Sequence, residues 1–291
     1  MYLYHERYDF SQRLPTAYVD FNTFPVEDII VIYKGRYIDR RRYSRRNEDN
    51  TFSTHFSALA NFFIDGATIK FCSLQKKANE VNEICNTICN LTNLNCNINC
   101  YISPPDSIGA LSHTDSNYSA AIQLAGSKNW IFTAENGKII SKFNLTFGDI
   151  IAFSPKAIHA TNTTDDFSIH WTISIQGAPT DHDILNISKI LAQKILPKIC
   201  FVSNNYFFEY FQSLSIFKKD ISKCRIKKNT TAPPYVNYQL LKAREVILDA
   251  LPSGLSYPVT ANKMLMEGIT LDQIRMMLIN HLIICEPMIN Q

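Results

Sequence analysis

The feature of the sequence that most constrains the fold is a change of hydrophobic period near Asn95. From there to Gln176, apolar and polar residues alternate in short segments, and turn signals such as Asn136-Gly137 separate the segments. Alternation with a period of two is typical of strands that bury one face. Many short strands with regularly spaced turns indicate a β-barrel or jelly roll, so we expect a mainly β fold with some α-helix.

One predicted strand, over residues 95–102, has a polar face that suits the inside of such a barrel. Asn99 and Tyr101 lie on that face, and Ile98 and Cys100 lie on the opposite one. A polar face that points into a barrel fits a lumen that holds a ligand.

His113, Asp115 and His159 are the candidate metal ligands of this region. His113 and Asp115 are two residues apart, and on a strand such residues point to the same face, so both can reach one ion. Two histidines and one carboxylate with open coordination positions form the facial triad of non-haem Fe(II) oxygenases. A histidine and an aspartate at this spacing also occur together by chance, so the interpretation depends on the surrounding residues.

Five separated motifs around these residues, in this order along the chain, resemble the JmjC-type cupins of the ribosomal oxygenase family. They are Asn99-Cys100-Tyr101-Ile102-Ser103-Pro104-Pro105, His113-Thr114-Asp115, Gln123-Leu124-Ala125-Gly126-Ser127-Lys128-Asn129-Trp130, Gly148-Asp149 and a distal His159. The resemblance covers residues 66–176. It implies a double-stranded β-helix of the cupin or jelly-roll type. It also implies a protein hydroxylase that depends on Fe(II), 2-oxoglutarate and O2.

The resemblance also implies roles for individual residues. The three candidate metal ligands are implied as iron ligands, and Lys128 as the cation that pairs with the distal carboxylate of 2-oxoglutarate. Asn99, Tyr101 and Ser174 are implied as neutral partners of that co-substrate. A buried ammonium without an anionic ligand is unfavourable, which supports the position of Lys128. His170 is expected to be a structural histidine and not a ligand.

This sequence departs from the family pattern in one interval. The stretch between Trp130 and Gly148 is shorter than in the family, where it carries an extra loop that helps to hold the protein substrate. The candidate metal ligands are unaffected, but the difference puts the identity of the substrate in doubt.

Composition and charge describe an ordinary globular protein. Of the 291 residues, 46% are hydrophobic and 19% are charged, and the formal net charge of +3 is too small to require a nucleic-acid partner. We see no signal peptide and no apolar stretch of membrane-spanning length, so we expect a cytoplasmic protein without a membrane partner. The eight cysteines are then expected to be thiols. The pairs Cys85/Cys89 and Cys96/Cys100 are expected to be small core residues instead of zinc ligands.

Residues 34–46 form a basic run in which Asp39 is the only acidic residue. Such a run is either a surface for an acidic partner or RNA, or a solvated, mobile loop. Apolar spacing near this run predicts a strand over residues 28–33 and a helix over residues 54–64. It further predicts a strand over residues 67–73 and a helix over residues 75–91.

After residue 179 the composition becomes helical. We expect a JmjC-like cupin domain with N-terminal helices over residues 1–179, then a helical dimerisation segment and linker over residues 180–235. A small winged-helix-like module is expected over residues 236–291, with helices near 238–251 and 270–281.

The C-terminal part also carries predictions about partners. An apolar stripe that includes Leu185, Ile187 and Leu191 predicts a homodimer through residues 181–222, although the same stripe could cover the outside of the barrel. A winged helix can read DNA, but acidic residues such as Asp272 argue against a strongly basic surface, so nucleic acid is not the favoured partner.

The sequence therefore predicts an Fe(II)- and 2-oxoglutarate-dependent oxygenase that hydroxylates a side chain in a protein or peptide. The polypeptide substrate would be a ribosomal protein or the precursor of a ribosomally made peptide. One alternative is a non-catalytic cupin and winged-helix protein that binds peptide or nucleic acid, and another is a metal-dependent hydrolase or isomerase on the same barrel. The presence of the three candidate ligands together with Lys128 favours the oxygenase.

Overall fold

The computed structural model describes residues 3–7, 24–177, 179–190, 206–221, 224–228, 259–266, 268–279 and 283–287. The chain divides into two units, one of residues 1–55 and 66–202 and the other of residues 56–65 and 203–291. In the described residues, no helix is both long enough and apolar enough to cross a membrane. The domain boundaries that the sequence indicated at residues 179 and 235 stay predictions.

The first unit is built mainly from β-strands. Its strands are β1 (Leu3–Arg7), β2 (Ile29–Tyr33), β3 (Arg36–Tyr37), β4 (Ser44–Arg46), β5 (Phe52–Thr54), β6 (Thr68–Phe71), β7 (Cys96–Ser103), β8 (Tyr118–Thr133), β9 (Ile139–Thr146), β10 (Asp149–Phe153), β11 (Ile158–Asn162) and β12 (Ser168–Ile175). The helix between β5 and β6, α1 (Phe56–Ile64), belongs to the second unit. Helices α2 (Asn79–Thr92) and α3 (Asp181–Ile190) belong to the first.

Two antiparallel sheets share the long strand β8. The larger sheet has the strand order β1-β10-β8-β12-β7-β6-β2-β3, and in the smaller sheet β11 and β9 flank β8. Helix α2 packs against β7, and α3 packs against α2 and β10. This is a double-stranded β-helix of the cupin or jelly-roll type, which confirms the predicted fold class.

Strand β8 passes from one sheet to the other at Gly126. Residues up to Gly126 pair with β10 and β12, and those from Ser127 onwards pair with β9 and β11. Gly126 has a φ of 60°, and an added Cβ would lie 1.8 Å from the carbonyl oxygen of Phe167. Glycine is therefore required at this position. Glycine is a common turn residue, but here the chain does not reverse, because Gly126 bends one continuous strand.

The alternating pattern correctly predicted the buried faces. Trp130, Phe132 and Phe153 belong to one buried apolar cluster in and beside the smaller sheet. On β7, Ile98 and Cys100 are buried on the face opposite to the polar one, as expected. The predicted helices and strands before residue 95 are also confirmed, except that the second helix begins after a short 3-10 turn over Leu74–Lys76. The described cysteines are free thiols.

The second unit combines helices with a small sheet. Its further elements are α4 (Tyr206–Lys219), β13 (Cys224–Lys228), β14 (Val259–Thr260), α5 (Ala261–Met266), α6 (Leu271–Ile279) and β15 (Ile283–Pro287). The strand order is β14-β13-β15, so residues 224–228, which the sequence assigned to a linker, form the middle strand. The predicted helix over residues 270–281 is confirmed, and the one near 238–251 lies outside the described residues. The winged-helix assignment stays a prediction.

Candidate active site

The His113-Thr114-Asp115 motif lies in the loop between β7 and β8, and not on a strand as the sequence predicted. The period-two apolar pattern begins only at Tyr118, and the preceding Ser116-Asn117 favours a turn. The loop is nevertheless held in place, because the backbones of His113 and His159 exchange two hydrogen bonds of 3.0 and 2.9 Å. This isolated antiparallel bridge brings the motif beside β11.

His113, Asp115 and His159 converge around one point. Their potential ligand atoms all lie within 4.8 Å of one another. Nε2 of His113 is 3.5 Å from Oδ1 of Asp115, and the two imidazole centroids are 4.3 Å apart. Within the described part of the chain, this is the group of histidine, cysteine and carboxylate side chains that could hold a metal ion.

The neighbours of these side chains leave the correct atoms free for a metal. Nδ1 of His113 is 2.8 Å from the carbonyl oxygen of Leu111, and Nδ1 of His159 is 2.9 Å from that of Ala157. A carbonyl oxygen only accepts, so each Nδ1 carries a hydrogen, and in the neutral imidazole each Nε2 then keeps its lone pair. The donor set and its orientation therefore fit a facially bound divalent metal.

The protonation states of Asp115 and His159 suit metal binding, whereas the contact with Asp115 raises the pKa of His113. Burial acts to raise the pKa of Asp115, but the adjacent imidazoles of His113 and His159 and the hydroxyl of Ser119 outweigh it, and the pKa is lowered. Ser119 donates its hydroxyl to Oδ2 of Asp115 at 2.9 Å, which leaves Oδ1 towards the histidines. Burial lowers the pKa of His159, which keeps its imidazole neutral. A carboxylate and a neutral imidazole are the forms that bind metals.

The cluster opens into a small pocket inside the barrel, with a cavity volume of about 50 Å³. Trp130 and Phe153 form part of its wall and pack on the ring of His159, with centroid distances of 5.7 and 4.6 Å. The lining residues are Ile32, Thr68, Tyr101, Gly109, Ala110, His113, Asp115, Lys128, Trp130, Phe153, His159, Thr161, His170 and Thr172. The pocket thus contains Lys128 together with His113, Asp115 and His159, which we call the metal-ligand cluster.

Lys128 is a buried cation in this pocket. Its side chain is 1% exposed, and Nζ donates a hydrogen bond of 2.6 Å to the hydroxyl of Ser103. The described residues provide it with no carboxylate partner, and burial lowers its pKa to about 7. A buried ammonium is costly unless it is paired, so this position fits an anionic ligand.

The hydroxyls beside Lys128 were not identified from the sequence. Ser103 Oγ is 2.8 Å from Thr68 Oγ1, which is 3.1 Å from Ser107 Oγ. Ser103 follows Tyr101 by two residues on β7 and therefore shares its face, so strand alternation alone could have identified it. Thr68 is on β6, and only the pairing of β6 with β7 brings it close.

The three residues implied as neutral co-substrate partners take different positions. Tyr101 lines the pocket and stacks on His170, with centroids 4.8 Å apart and an interplanar angle of 7°. Asn99 and Ser174 lie on the same face of the sheet but not in the pocket lining. Asn99 accepts a hydrogen bond from the backbone of Ser73, and Ser174 accepts one from Asn117. Their role as co-substrate contacts stays a prediction.

His170 lines the pocket and is buried. Among the residues that the structure describes, its Nδ1 has no hydrogen-bond partner. Burial, together with the charge of Lys128, lowers its pKa well below the usual range. His170 therefore provides a neutral imidazole next to the cation, and it lies outside the metal-ligand cluster.

Comparisons with known proteins agree with the motifs. No family model matches this chain. The bifunctional lysine-specific demethylase and histidyl-hydroxylase NO66 of Drosophila melanogaster is 24% identical over 138 residues, covering 40% of this chain and 21% of that protein. The protein of the same name from Drosophila simulans is 23% identical over 138 residues, covering 40% of this chain and 16% of that protein. This chain therefore spans about a fifth or less of the length of the curated relatives it matches.

Solved structures are also similar in part. YcfD, a ribosomal oxygenase from Escherichia coli, is 13% identical with a TM-score of 0.37, over 77% of this chain and 54% of that chain. A cupin superfamily protein from Desulfitobacterium hafniense is 13% identical with a TM-score of 0.25, over 28% of this chain and 68% of that chain. The motifs and the match to the NO66 proteins together confirm the resemblance: this chain is similar to the JmjC-type cupins of the ribosomal oxygenase family.

Proposed function

We propose that this chain is an Fe(II)- and 2-oxoglutarate-dependent oxygenase that hydroxylates an amino-acid side chain in a polypeptide. The observation that carries the proposal is one pocket lined by both the His113, Asp115 and His159 cluster and the buried ammonium of Lys128. The cluster leaves coordination positions open, and the cation needs an anion. A dicarboxylate keto acid that reaches the metal with one end and Lys128 with the other satisfies both requirements.

The residues around the cluster would hold the metal ligands in a fixed geometry. The carbonyl oxygens of Leu111 and Ala157 orient the two imidazoles, and the Ser119 hydroxyl orients the carboxylate of Asp115. Bound Fe(II) would supply the activation of O2, so that one oxygen atom enters a substrate C–H bond while 2-oxoglutarate becomes succinate and CO2.

The part of the pocket at Lys128 would bind the second carboxylate of 2-oxoglutarate. Lys128 offers a cation, and the hydroxyls of Ser103 and Thr68 lie beside it as further donors. Tyr101 lies on the same strand face as Ser103 and also lines the pocket. Charge-assisted hydrogen bonds in a buried site are about twice as strong as neutral ones, so Lys128 would supply most of the affinity at this end.

The aromatic wall would keep bulk water away from the reacting atoms. Trp130 and Phe153 are buried, and both pack on the ring of the metal ligand His159. A dry, shaped wall limits side reactions and strengthens the electrostatic contacts inside the pocket.

A polypeptide is the proposed substrate. The name of the NO66 relatives describes a histidyl-hydroxylase and lysine-specific demethylase, which supports an amino-acid side chain as the oxidised group. The segment between Trp130 and Gly148 is a plain hairpin of β8 and β9, so no long loop covers the pocket from this side. A mouth that the β8–β9 hairpin leaves uncovered on its side suits an extended chain, in either a ribosomal protein or the precursor of a ribosomally made peptide.

Mass spectrometry of candidate peptides incubated with the protein, Fe(II) and 2-oxoglutarate tests the proposal. We expect one added oxygen atom per modified peptide, together with formation of succinate. His113→Ala and Asp115→Ala should abolish both products and weaken Fe(II) binding in anaerobic titrations. His55→Ala removes an exposed histidine outside the pocket and is the matched control.

Two results would count against the proposal. Unchanged Fe(II) affinity in both His113→Ala and Asp115→Ala would exclude the cluster as the metal site. Turnover of free amino acids or small acids, without oxidation of any peptide, would show that the substrate is a small molecule.

A further inference from the structure

The basic run over residues 34–46, which we call the basic arm, is a folded surface with defined elements. It contains β3, a 3-10 helix over Arg40–Arg42 and β4. The carboxylate of Asp39 caps the 3-10 helix by accepting from the backbone of Arg41 at 2.9 Å. The buried Tyr43 anchors the arm, because its hydroxyl donates to the carbonyl oxygen of Ile29 at 3.0 Å. The arm therefore presents its side chains in a set arrangement.

The cations of the basic arm are exposed, and few of them are neutralised locally. They are Lys34, Arg36, Arg40, Arg41, Arg42, Arg45 and Arg46. Arg41 pairs with Asp39. Arg36 and Arg45 have no carboxylate partner within the residues that the structure describes. Exposed, unpaired guanidinium groups can bind carboxylates of another molecule in bidentate fashion.

The start of the arm borders the mouth of the pocket. Tyr37 of β3 lies directly opposite Ile32 of β2, so both point to the same face, and Ile32 lines the pocket. The turn at Gly35 packs on Leu111, since an added Cβ at Gly35 would lie 2.2 Å from Cγ of Leu111. Leu111 in turn accepts from the ring of the metal ligand His113.

Apolar side chains are exposed at the same place. Tyr37 is 74% exposed, Leu111 is 55% exposed and Ile108 is 49% exposed. Ile108 and Leu111 flank Gly109 and Ala110, both of which line the pocket. Cations next to exposed apolar groups at a pocket mouth form a surface with mixed chemistry, which is typical of a binding site.

We infer that the rim formed by Lys34–Tyr37, Ile108 and Leu111 docks an acidic segment of the polypeptide substrate, with an apolar residue on Leu111 and Ile108 and carboxylates on Lys34 and Arg36. These two cations flank Gly35, which packs on Leu111. Arg36 lies opposite Tyr33, on the other face of the hairpin from Tyr37, and would reach the segment from the edge of the turn. The inference rests on the proposed function and adds the chemical class of the substrate segment. Docking here places the neighbouring residue of the peptide over the pocket that contains the metal-ligand cluster.

An acidic peptide fits this surface better than RNA does. Glu27, Glu48 and Asp49 are exposed and flank the basic arm, so a long polyanion would meet repulsion on both sides. Binding of single-stranded nucleic acid also uses several stacked aromatic rings. The exposed aromatic residues at the described part of the arm are Tyr37 on β3 and Phe52 on β5, opposite Arg46, so they lie on separate strands. A short peptide with a few carboxylates around one apolar residue needs only Lys34 and Arg36, the cations next to Leu111.

Fluorescence anisotropy with the full chain and three labelled peptides of equal length tests the inference. The peptides share an apolar centre and carry acidic, neutral or basic flanks. We expect the acidic peptide to bind most tightly and its affinity to fall as salt is added. Arg36→Glu should weaken it about three- to tenfold, in line with exposed charge pairs that change from attraction to repulsion. Lys142→Glu is the control, because Lys142 is exposed on β9 opposite Ile131, on the face turned away from Trp130.

The outcomes separate this inference from the proposed function. Equal affinity for the three peptides, or equal losses in Arg36→Glu and Lys142→Glu, overturns the docking surface. So does tight, Arg36-dependent binding of a single-stranded RNA probe without binding of the acidic peptide. Conversion of 2-oxoglutarate to succinate is measured separately. If that conversion fails while selective peptide binding persists, the proposed function is wrong and the docking surface stands.

Discussion

At the scale of single residues, Lys128 provides a direct test of the co-substrate. Its ammonium is buried and donates to the hydroxyl of Ser103. We expect Lys128→Met to weaken 2-oxoglutarate binding about 10- to 100-fold, because hydrogen bonds to charged groups contribute about 1.5–3 kcal/mol. Fe(II) affinity should not change, since Lys128 is not in the metal-ligand cluster. Anaerobic calorimetry measures both affinities, with the exposed Lys142→Met as control, and wild-type 2-oxoglutarate affinity in Lys128→Met would contradict the assignment.

The same lysine predicts a pH dependence of stability when no anion is bound. Burial lowers the pKa of Lys128 to about 7 from the ordinary value of 10.5, which applies in the unfolded chain. Between these values the unfolded state binds more protons, so the contribution of Lys128 to the free energy of unfolding becomes more favourable as the pH rises. The full effect is at most about 5 kcal/mol. The free energy of unfolding of Lys128→Met, measured by urea titration at neutral and alkaline pH, should not show this rise. Parallel changes in the original protein and in Lys128→Met would contradict the prediction.

The residues of the candidate site differ in how far the sequence could identify them. The cluster of His113, Asp115 and His159 could be predicted because it needs a rare combination of residue types near strand signals. Thr68 could not, because a threonine on a short strand is common, and its role depends on the pairing of β6 with β7. Motifs identify residues with unusual chemistry, whereas hydroxyl partners emerge only from the packing of distant segments.

At the scale of elements, Gly126 decides whether β8 can serve both sheets. Its φ is 60°, and a Cβ would lie 1.8 Å from a backbone oxygen that cannot move freely. We expect Gly126→Ala to lower the free energy of unfolding by about 3 kcal/mol or more, from steric overlap and backbone strain. Gly137 has a φ of 79° but no atom within 4 Å of an added Cβ, so Gly137→Ala should cost only about 1 kcal/mol. Chemical denaturation of both variants measures the difference, and equal losses would show that the close approach at Gly126 is unimportant.

Alternation of polar and apolar residues identifies regular strands, but it does not identify the loops between them. In strand β12, polar and apolar residues alternate from Ser168 to Ile175, so the period of two extends over the whole observed strand. The His113 motif was placed on a strand because residues two apart then share a face, but in the structure a loop held by one backbone bridge brings His113 and Asp115 together. The convergence of His113, Asp115 and His159 was therefore predicted through an incorrect local structure, and their role as metal ligands stays a prediction.

At the scale of the whole molecule, the association of two chains remains a prediction. Ile187 and Phe211, which belong to the apolar segment predicted to form the dimer, are already buried within one chain. Leu191, another member of the stripe, lies outside the described residues. Light scattering at micromolar concentration distinguishes a homodimer through residues 181–222 from a monomer.

The second unit is not continuous in sequence, which no local pattern could have indicated. Helix α1, in residues 56–65, belongs with residues 203–291. Its Phe63 packs edge-on against Phe211 at a centroid distance of 4.7 Å, and Asp65 pairs with Arg275 at 2.7 Å. Leu59 and Phe63 are fully buried, and burying a large apolar side chain contributes about 1.5–3 kcal/mol.

We therefore expect residues 203–291 to be unable to fold cooperatively without α1. Fusing residues 56–65 to the start of this fragment through a flexible Gly/Ser linker should restore a cooperative urea transition, because it returns the buried face of the helix at high effective concentration. The same fusion carrying Phe63→Ser should lose most of this gain, since it places a hydroxyl against the ring of Phe211. Far-UV circular dichroism during urea titration compares the three fragments. If residues 203–291 alone unfold cooperatively at the same midpoint as the fusion, α1 is not part of the folding unit.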